Sequence, residues 1–270
     1  MMIKNLKKEL KVAGFKIQVK QTDQTCPKHP KAHLIITDKS DEPFCPQCQL
    51  EKMEQQKKKL VDDFKIKSVK EVLRHDSLID LPSDYNCTFD TFKASDGTKE
   101  AQIKHRTKVI AYELMKDRKK PMHVIFYGTP GEGKTHLAMS ILNAVNEHAD
   151  PPQSCLFVDV NELFNRIRDS FNNPNQLWSK EYAINKLKGV DLLVIDDLGS
   201  ESAMKLDGSE ANNFIQETLK KVLEQQRCII TTNLTSRQLK QVYNPKIVSR
   251  LFANSRGYAI DFSGIKDKRY

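Results

Sequence analysis

The pattern of apolar and polar positions in the second half of the chain predicts helices and strands in turn. Short runs rich in β-branched and aromatic residues indicate strands, and apolar positions at helical spacing lie between them. The predicted strands are 124–127, 155–160, 192–195, 228–232 and 257–262. The predicted helices are 99–116, 136–145, 161–171 with Asn161 as its cap, 211–226, 236–242 and 245–252. This alternation indicates an α/β fold whose parallel sheet is buried on both faces.

The first 81 residues have a different pattern. Residues 1–50 are polar and poor in large apolar side chains, whereas residues 51–81 are highly charged with apolar positions at loosely helical spacing. The sequence Leu-Pro-Ser-Asp at 81–84 interrupts this second segment and indicates a boundary. We therefore predict a small N-terminal domain (1–50), a helical connector (51–81) and an α/β domain (82–270).

The loop after the first predicted α/β strand carries the most specific motif in the chain. Residues 128–135 read G-T-P-G-E-G-K-T, with a strand before them and a helix after them. The glycines allow a tight turn whose N–H groups face one anion, and the helix N-terminus adds its positive dipole. Lys134 is expected to reach the β- and γ-phosphates of ATP, and the Thr135 hydroxyl to hold Mg²⁺. The alternative is a plain glycine turn before a helix. The predicted ATP-binding residues here are Gly128, Thr129, Pro130, Gly131, Glu132, Gly133, Lys134, Thr135 and His136.

Polar residues end two later strands at what should be the same edge of the sheet. Asp196 and Asp197 follow the apolar run 192–195, and Asn233 follows the strand 228–232. Asp196 is expected to hold Mg²⁺, and Asp197 to orient or deprotonate the attacking water. Asn233 would contact the γ-phosphate or that water. The alternatives are a solvated Asp-Asp turn and, for Asn233, an ordinary turn or a helix cap.

An arginine near the C-terminus is a further candidate. Arg250 follows a short predicted helix and would neutralise transition-state charge in the site of a neighbouring subunit. A surface salt bridge is the alternative for this residue.

Cysteine and histidine spacing in the first fifth of the chain predicts a metal site. Cys26-Pro-Lys-His29 and Cys45-Pro-Gln-Cys48 form two pairs, each with two residues between the ligands, as in structural zinc sites. A segment with so few apolar residues would take its folding energy from the metal. His33 is the alternative fourth ligand, and scattered free thiols are the alternative without metal.

Composition adds little to this picture. The chain has 270 residues and a formal net charge of +9, which suits a polyanionic partner but also arises from solvated lysine-rich faces. No apolar run approaches the ~18 residues of a membrane span, and no signal peptide is apparent. We therefore expect a cytoplasmic protein without membrane contact, whose cysteines are thiols or metal ligands.

Four motifs together resemble the AAA+ ATPases of the DnaC/DnaI family of replicative helicase loaders. They are G-T-P-G-E-G-K-T-H-L-A, L-L-V-I-D-D-L-G, T-T-N and V-S-R-L. The resemblance covers about residue 85 to the C-terminus. It implies that Asn233 is sensor 1, that Arg250 is the arginine finger and that Arg269 belongs to a shortened sensor-2 ending, with Lys266 and Lys268 beside it. It also implies an AAA+ domain without the helical lid. DnaI-type loaders carry an N-terminal zinc-binding domain, as predicted here.

The resemblance implies a loader that binds the hexameric replicative helicase through its N-terminal region and delivers it to single-stranded DNA. Residues 51–81 belong to the expected helicase-binding element, and ATP would promote self-association of the AAA+ domains. Asp197 stands where many AAA+ ATPases have Glu, which predicts slow hydrolysis, and Glu201 is an alternative water-orienting group. Candidate DNA contacts are Arg166, Arg168, Arg237 and Lys240. The small, lysine-rich chain favours a phage origin.

Two other functions fit the same motifs. An IstB-like transposition ATPase has nearly the same AAA+ core, although the zinc knuckles argue against it. An adapter that binds ATP without significant turnover is the second alternative.

Overall fold

The structure is a computed structural model that describes residues 7–12, 15–38, 40–173, 175–200, 209–224 and 227–268. The chain forms two compact units, Met1–Ile66 and Lys67–Tyr270. Their division lies inside a single long helix, α1 (Pro46–His75). This arrangement differs from the predicted boundaries at 50 and 81, because the helix starts before residue 50 and runs through most of the predicted connector.

The first unit contains a four-stranded antiparallel sheet, which was not predicted from the sequence. Its strands pair in sequence order: β1 (Lys7–Val12), β2 (Phe15–Thr25), β3 (His33–Thr37) and β4 (Ser40–Phe44). The loop between β2 and β3 and the junction between β4 and α1 lie at the same end of this sheet, because consecutive antiparallel strands reverse direction.

The second unit is the predicted α/β domain, and its sheet is parallel throughout. The strand order is β6-β7-β8-β5-β9. The strands are β5 (Met122–Tyr127), β6 (Cys155–Asp159), β7 (Leu192–Asp196), β8 (Arg227–Thr232) and β9 (Ala259–Asp261). The helices are α2 (Lys99–Lys116), α3 (Lys134–His148), α4 (Val160–Asn172), α5 (Lys180–Gly189), α6 (Ser209–Val222), α7 (Ser236–Val242) and α8 (Pro245–Phe252), with a 3₁₀ helix at Pro82–Asn86. The predicted fold class is confirmed.

Capping residues fix where several helices begin. Thr98 caps α2 by accepting a hydrogen bond from the Ala101 N–H at 3.3 Å. The cap of α4 is Asp159, which accepts from the Glu162 N–H at 2.9 Å, so the predicted cap Asn161 is wrong. Thr235 caps α7 in a capping box with the side chain three residues later. Asn233 is therefore not a helix cap, which leaves its side chain available for the site.

The central strands bury side chains on both faces, because successive residues of a strand point to opposite sides. Ile125, Ile195 and Ile230 join one apolar cluster, and Val124 and Ile229 join the other. At the carboxyl ends of these strands the apolar residues give way to polar ones, and because the strands are parallel these ends meet at one edge of the sheet. Among the described residues, no helix is both long enough and apolar enough to cross a membrane.

Candidate active site and metal centre

The phosphate loop has the backbone shape that its glycines predict. Gly128, Gly131 and Gly133 all adopt positive φ angles, of 149°, 87° and 88°. A Cβ at Gly133 would lie only 2.6 Å from Cε2 of Phe92, so a larger residue has neither the space nor the backbone freedom to replace it. The cleft beside the loop has a volume of about 480 Å³. Its polar lining includes Lys134, Thr135, His136, Asp196, Asp197, Thr231, Asn233 and Lys268.

Lys134 is the buried cation of the loop. Its Nζ donates to the carbonyl oxygen of Gly128 at 3.0 Å and to that of Thr129 at 2.7 Å. Its position inside the loop, with only 6% of the residue exposed, places the ammonium where phosphate oxygens of a nucleotide would lie.

Thr135 and Asp196 meet as predicted. The Thr135 hydroxyl donates to both carboxylate oxygens of Asp196, each at 3.1 Å. Adjacent oxygen ligands on an octahedral Mg²⁺ with bonds of 2.0–2.1 Å are separated by about 2.9 Å, so these two side chains fit one such ion. Burial raises the pKa of Asp196 to about 7. The hydrogen bonds from Thr231 and Thr135 act in the opposite direction, but burial has the larger effect.

Asp197 and Asn233 form a second pair in the same cleft. The Asn233 Nδ2 donates to the Asp197 Oδ1 at 2.7 Å. Asp197 has a φ of 55°, in the left-handed region, and its backbone N–H donates to the Thr231 Oγ1 at 2.9 Å. The structure therefore brings together four of the side chains that the sequence selected, from three separate elements.

The segment before α2 packs on the phosphate loop. The His136 Nε2 lies 3.0 Å from the Thr88 carbonyl oxygen and 3.1 Å from the Thr91 Oγ1. The His136 ring also meets Phe92 edge-on, with ring centroids 5.4 Å apart. These contacts hold His136 at the wall of the cleft.

The C-terminal tail packs on the other side of the loop. The Gly264 N–H donates to the Glu132 Oε1 at 3.1 Å, and the Lys268 N–H donates to the Gly131 carbonyl at 2.9 Å. The Lys268 Nζ donates to the Lys93 carbonyl oxygen at 2.9 Å. Lys268 was not selected from the sequence, although it stands one position before the predicted Arg269. Arg269 and Glu201 lie outside the described residues.

Arg250 is bound within its own chain. It lies on α8, where its Nη1 donates to the Lys220 carbonyl oxygen and forms an ion pair with the Glu224 Oε1 at 3.3 Å. This is the geometry of the salt-bridge alternative. Its predicted contact with a neighbouring subunit remains a prediction.

The four predicted zinc ligands converge in the first unit. Cys26, His29, Cys45 and Cys48 place their donor atoms within 4.8 Å of one another. The Nδ1 of His29 lies 3.8, 3.6 and 3.3 Å from the sulfurs of Cys26, Cys45 and Cys48, and the sulfurs of Cys26 and Cys48 are 3.5 Å apart. A tetrahedral Zn²⁺ with its usual bond lengths of 2.0–2.3 Å needs donor separations of about 3.5–3.8 Å, so these residues fit the ion.

A carboxylate supports the histidine of this cluster. The His29 Nε2 lies 2.9 Å from the Glu51 Oε1, and the other oxygen of Glu51 pairs with the Lys28 Nζ at 3.1 Å. A metal-bound histidine commonly uses its second nitrogen in this way, which fixes the ring orientation. His33 begins β3 and is exposed outside the cluster, so the geometry favours His29 over the alternative.

Comparisons with known proteins agree with this site. The family model for IstB-like ATP-binding proteins matches residues 89–252, more than half of the chain. The replicative helicase loader DnaC of Buchnera aphidicola subsp. Baizongia pistaciae is 28% identical over 167 residues, 62% of this chain and 63% of that protein. DnaC of Escherichia coli K12 is 30% identical over 135 residues, 50% of this chain and 51% of that protein. The chain thus matches between half and two thirds of these relatives' length.

A solved structure supports the fold. The crystal structure of the DnaC helicase loader superposes with a TM-score of 0.52 at 22% identity, covering 69% of this chain and 100% of that one. At this identity the likeness concerns the fold alone. Together with the family match and the loop geometry, it confirms the predicted resemblance: the chain belongs to the IstB-like family of ATP-binding proteins, and its α/β unit is a DnaC-like AAA+ domain.

Proposed function

We propose that this protein is an ATP-dependent replicative helicase loader. The observation that carries the proposal is the convergence of Lys134, Thr135, Asp196, Asp197 and Asn233 on one cleft in the unit that is similar to DnaC, combined with a three-cysteine, one-histidine cluster in the preceding unit. The cysteine–histidine cluster argues against the alternative, a transposition ATPase of the IstB type.

The cleft residues divide the work of ATP hydrolysis. Lys134 and the loop N–H groups bind the phosphates, and Thr135 with Asp196 would hold Mg²⁺, which neutralises charge on the β- and γ-phosphates when bound. Asp197 orients or deprotonates the attacking water. Asn233 contacts the γ-phosphate or the water, and its amide can do so while it keeps its hydrogen bond to Asp197, because it has two N–H donors and one oxygen. The proposed slow turnover rests on Asp197, which stands where many AAA+ ATPases have Glu.

The metal cluster has a structural role in the proposal. Four protein ligands close the coordination sphere of Zn²⁺ and leave no position for substrate. Among the side chains of residues 18–66 whose burial is described (all but 39 and 41), Cys26 and Cys45 are the buried ones. Zn²⁺ would therefore supply much of the folding energy of this unit.

An exposed apolar stripe on α1 supports a protein partner for the first unit. Leu50, Met53, Leu60 and Phe64 are 57–71% exposed and recur at spacings of three, seven and four residues, which places them on one helix face. Exposed large apolar residues in a row are typical of interaction sites. We propose that this stripe binds the hexameric replicative helicase.

The remaining parts of the proposal concern assembly and DNA. Self-association of the AAA+ domains would bring Arg250 to a neighbouring site, provided that it leaves its ion pair with Glu224. Single-stranded DNA is the proposed nucleic-acid partner. The predicted contact Arg166 is engaged with Glu162 on α4, at 2.6 Å, which weakens its candidacy.

Light scattering of the full chain with a hexameric replicative helicase, with and without ATP, tests the proposal. We expect a defined complex that is lost in Leu60→Asp and Phe64→Asp. Tyr112→Asp on α2 is the matched control, because Tyr112 is also 61% exposed but lies in the ATPase unit. If the two α1 substitutions left complex formation unchanged, the proposal that the stripe binds the helicase would be wrong.

Two other outcomes would change the assignment. ATP-dependent assembly on duplex DNA without a helicase complex would favour the transposition ATPase. A helicase complex formed with ATP, but with no hydrolysis above that of Lys134→Ala, would favour an adapter that binds ATP without turnover.

A further inference from the structure

We propose that Thr231 is a positioning residue that orients both acids of the active site through its single hydroxyl. This inference rests on the proposed ATP hydrolysis and adds a residue to it. Thr231 is the next-to-last residue of β8. It lines the nucleotide cleft and is 1% exposed.

The hydroxyl of Thr231 makes two hydrogen bonds in opposite senses. It donates to the Asp196 Oδ1 at 2.6 Å and accepts from the Asp197 backbone N–H at 2.9 Å. A hydroxyl has one proton to donate, so the bond to Asp196 uses its whole donor capacity. One side chain of β8 therefore fixes both the carboxylate direction of Asp196 and the peptide of Asp197.

The bond to Asp196 matters most when a metal ion is bound. Two hydroxyls donate to this carboxylate in the described part of the chain, those of Thr135 and Thr231. The Thr135 oxygen is itself a predicted Mg²⁺ ligand, so this side chain would serve the metal as well as the carboxylate. Thr231 has no metal to bind and can keep one carboxylate oxygen in place throughout.

The bond to Asp197 stabilises an unusual backbone conformation. Asp197 has a φ of 55°, which a residue with a Cβ adopts only at an energetic cost. The Thr231 Oγ1 holds the N–H of this residue, and the resulting turn directs its carboxylate to Asn233. Loss of the hydroxyl would release both constraints together.

The neighbouring threonine provides a matched control. Thr232 is fully buried, and its hydroxyl donates to the Leu198 carbonyl oxygen at 2.6 Å, the same length as the bond from Thr231 to Asp196. Replacement of either threonine by valine removes one buried hydroxyl and preserves shape. Only the change at 231 removes a bond to a predicted metal ligand.

The test measures affinity for a fluorescent ATP analogue as Mg²⁺ is titrated, alongside steady-state hydrolysis. We expect Thr231→Val to weaken Mg²⁺-dependent binding about 10-fold and to lower kcat by about 10- to 100-fold, the range for residues that support metal ligands. Binding in EDTA should not change. Thr231→Ser should restore Mg²⁺ dependence to within about 3-fold of the unaltered protein, because it keeps the hydroxyl.

Thr232→Val should lower the unfolding temperature without altering Mg²⁺ dependence. Equal losses of Mg²⁺-dependent ATP affinity in Thr231→Val and Thr232→Val would show a purely structural role and overturn the inference. An Mg²⁺ titration of Thr231→Val that matches that of the unaltered protein would overturn it as well. Should the valine variant not fold, Thr231→Ala and Thr232→Ala give the same comparison. If the unaltered protein shows no Mg²⁺-dependent ATP binding, the proposed function fails and this inference fails with it.

Discussion

The side-chain amide of Asn233 donates a hydrogen bond to the carboxylate of Asp197, with 2.7 Å between Nδ2 and Oδ1. Both groups are predicted to act on the same water or γ-phosphate, so each restrains the other. The bond is exposed to solvent and uses one of the two N–H groups of the amide, so the other N–H and the amide oxygen can still contact the phosphate or the water. We therefore expect the bond to set the direction of the Asp197 carboxylate rather than to oppose hydrolysis.

Replacement of Asp197 by Asn should separate binding from hydrolysis. Asp197→Asn removes the base but keeps the size of the side chain, so we expect kcat to fall by at least about 100-fold while ATP affinity changes by less than about 3-fold. Steady-state ATPase assays and equilibrium binding measure the two quantities. Asp169→Asn is the control, because Asp169 is exposed on α4 and is not among the residues that line the cleft. Hydrolysis that survives in Asp197→Asn would move the role of the base to another acid, with Glu201 the first to test.

The buried carboxylate of Asp196 predicts a pH dependence of stability. Its folded pKa of about 7 lies above the ordinary value of 3.8, so the folded state binds a proton more tightly than the unfolded state. Stability from this group is then fully present below pH 4 and is lost as the pH rises towards 7, by at most about 4 kcal/mol. Asp196→Asn should therefore raise the unfolding temperature more at pH 8 than at pH 5.

Scanning calorimetry without nucleotide would measure this difference. The exposed Asp62→Asn on α1 is the control and should show no pH-dependent gain. Because Mg²⁺ needs the ionised carboxylate, Mg²⁺-dependent ATP affinity of the unaltered protein should rise from pH 6 to pH 8. If Asp196→Asn raised the unfolding temperature equally at pH 5 and pH 8, burial of the carboxylate charge could not be the cause of the rise.

Two histidine substitutions should distinguish the zinc ligands. His29→Ala removes the nitrogen that lies 3.3–3.8 Å from three cysteine sulfurs, and we expect it to abolish stoichiometric zinc. His33→Ala should retain one zinc per chain. Elemental analysis of purified protein measures the metal, and circular dichroism follows the fold of the first unit. Retention of zinc in both variants would mean that a fourth ligand other than either histidine completes the site.

A lysine in the tail should contribute to nucleotide affinity. Lys268 lines the cleft and lies over the Phe92 ring, with its Nζ 5.2 Å from the ring centre. We expect Lys268→Ala to weaken ATP binding about 10-fold, since it removes a cation near the phosphates. Lys266→Ala, which alters an exposed lysine of the same tail, should have little effect. Equal losses of ATP affinity in Lys268→Ala and Lys266→Ala would indicate that the total positive charge of the tail, rather than Lys268 itself, attracts the nucleotide.

The α/β unit was largely predictable because its strands are short apolar runs between helical patterns. The predicted helices 99–116, 236–242 and 245–252 coincide with α2, α7 and α8. The carboxyl ends of parallel strands meet at one edge, so the presence of Asp196 and Asn233 in the lining of one cleft followed from the parallel sheet. The hydrogen bond of Asn233 to Asp197 and the roles of Thr231 and Lys268 could not be inferred, because they depend on side-chain directions and on packing of the distant tail.

The first unit was predicted in its chemistry but not in its fold. The spacing of Cys26, His29, Cys45 and Cys48 identified the cluster, because two intervening residues suffice to turn both ligands towards one ion. The strands β1–β4 were not predicted because residues 1–50 as a whole are poor in large apolar side chains, although Phe15, Ile17 and Val19 alternate with polar residues in β2. The start of α1 was missed because Pro46 and Cys48 belong both to the knuckle and to the first turn of the helix.

The two adjacent threonines of β8 make the strand register itself a functional quantity. Thr231 pairs with Phe126 and Thr232 with Tyr127 across the parallel ladder to β5. A slip of one residue in one direction would put Thr232 and Asn233 opposite these partners, and a slip in the other direction would put Ile230 and Thr231 there. Either slip would take the Thr231 hydroxyl away from the two acids and move Asn233 by about 3.3 Å, the rise of one residue. The orientation of the acids therefore depends on the pairing of β8 with β5 as well as on the identity of residue 231.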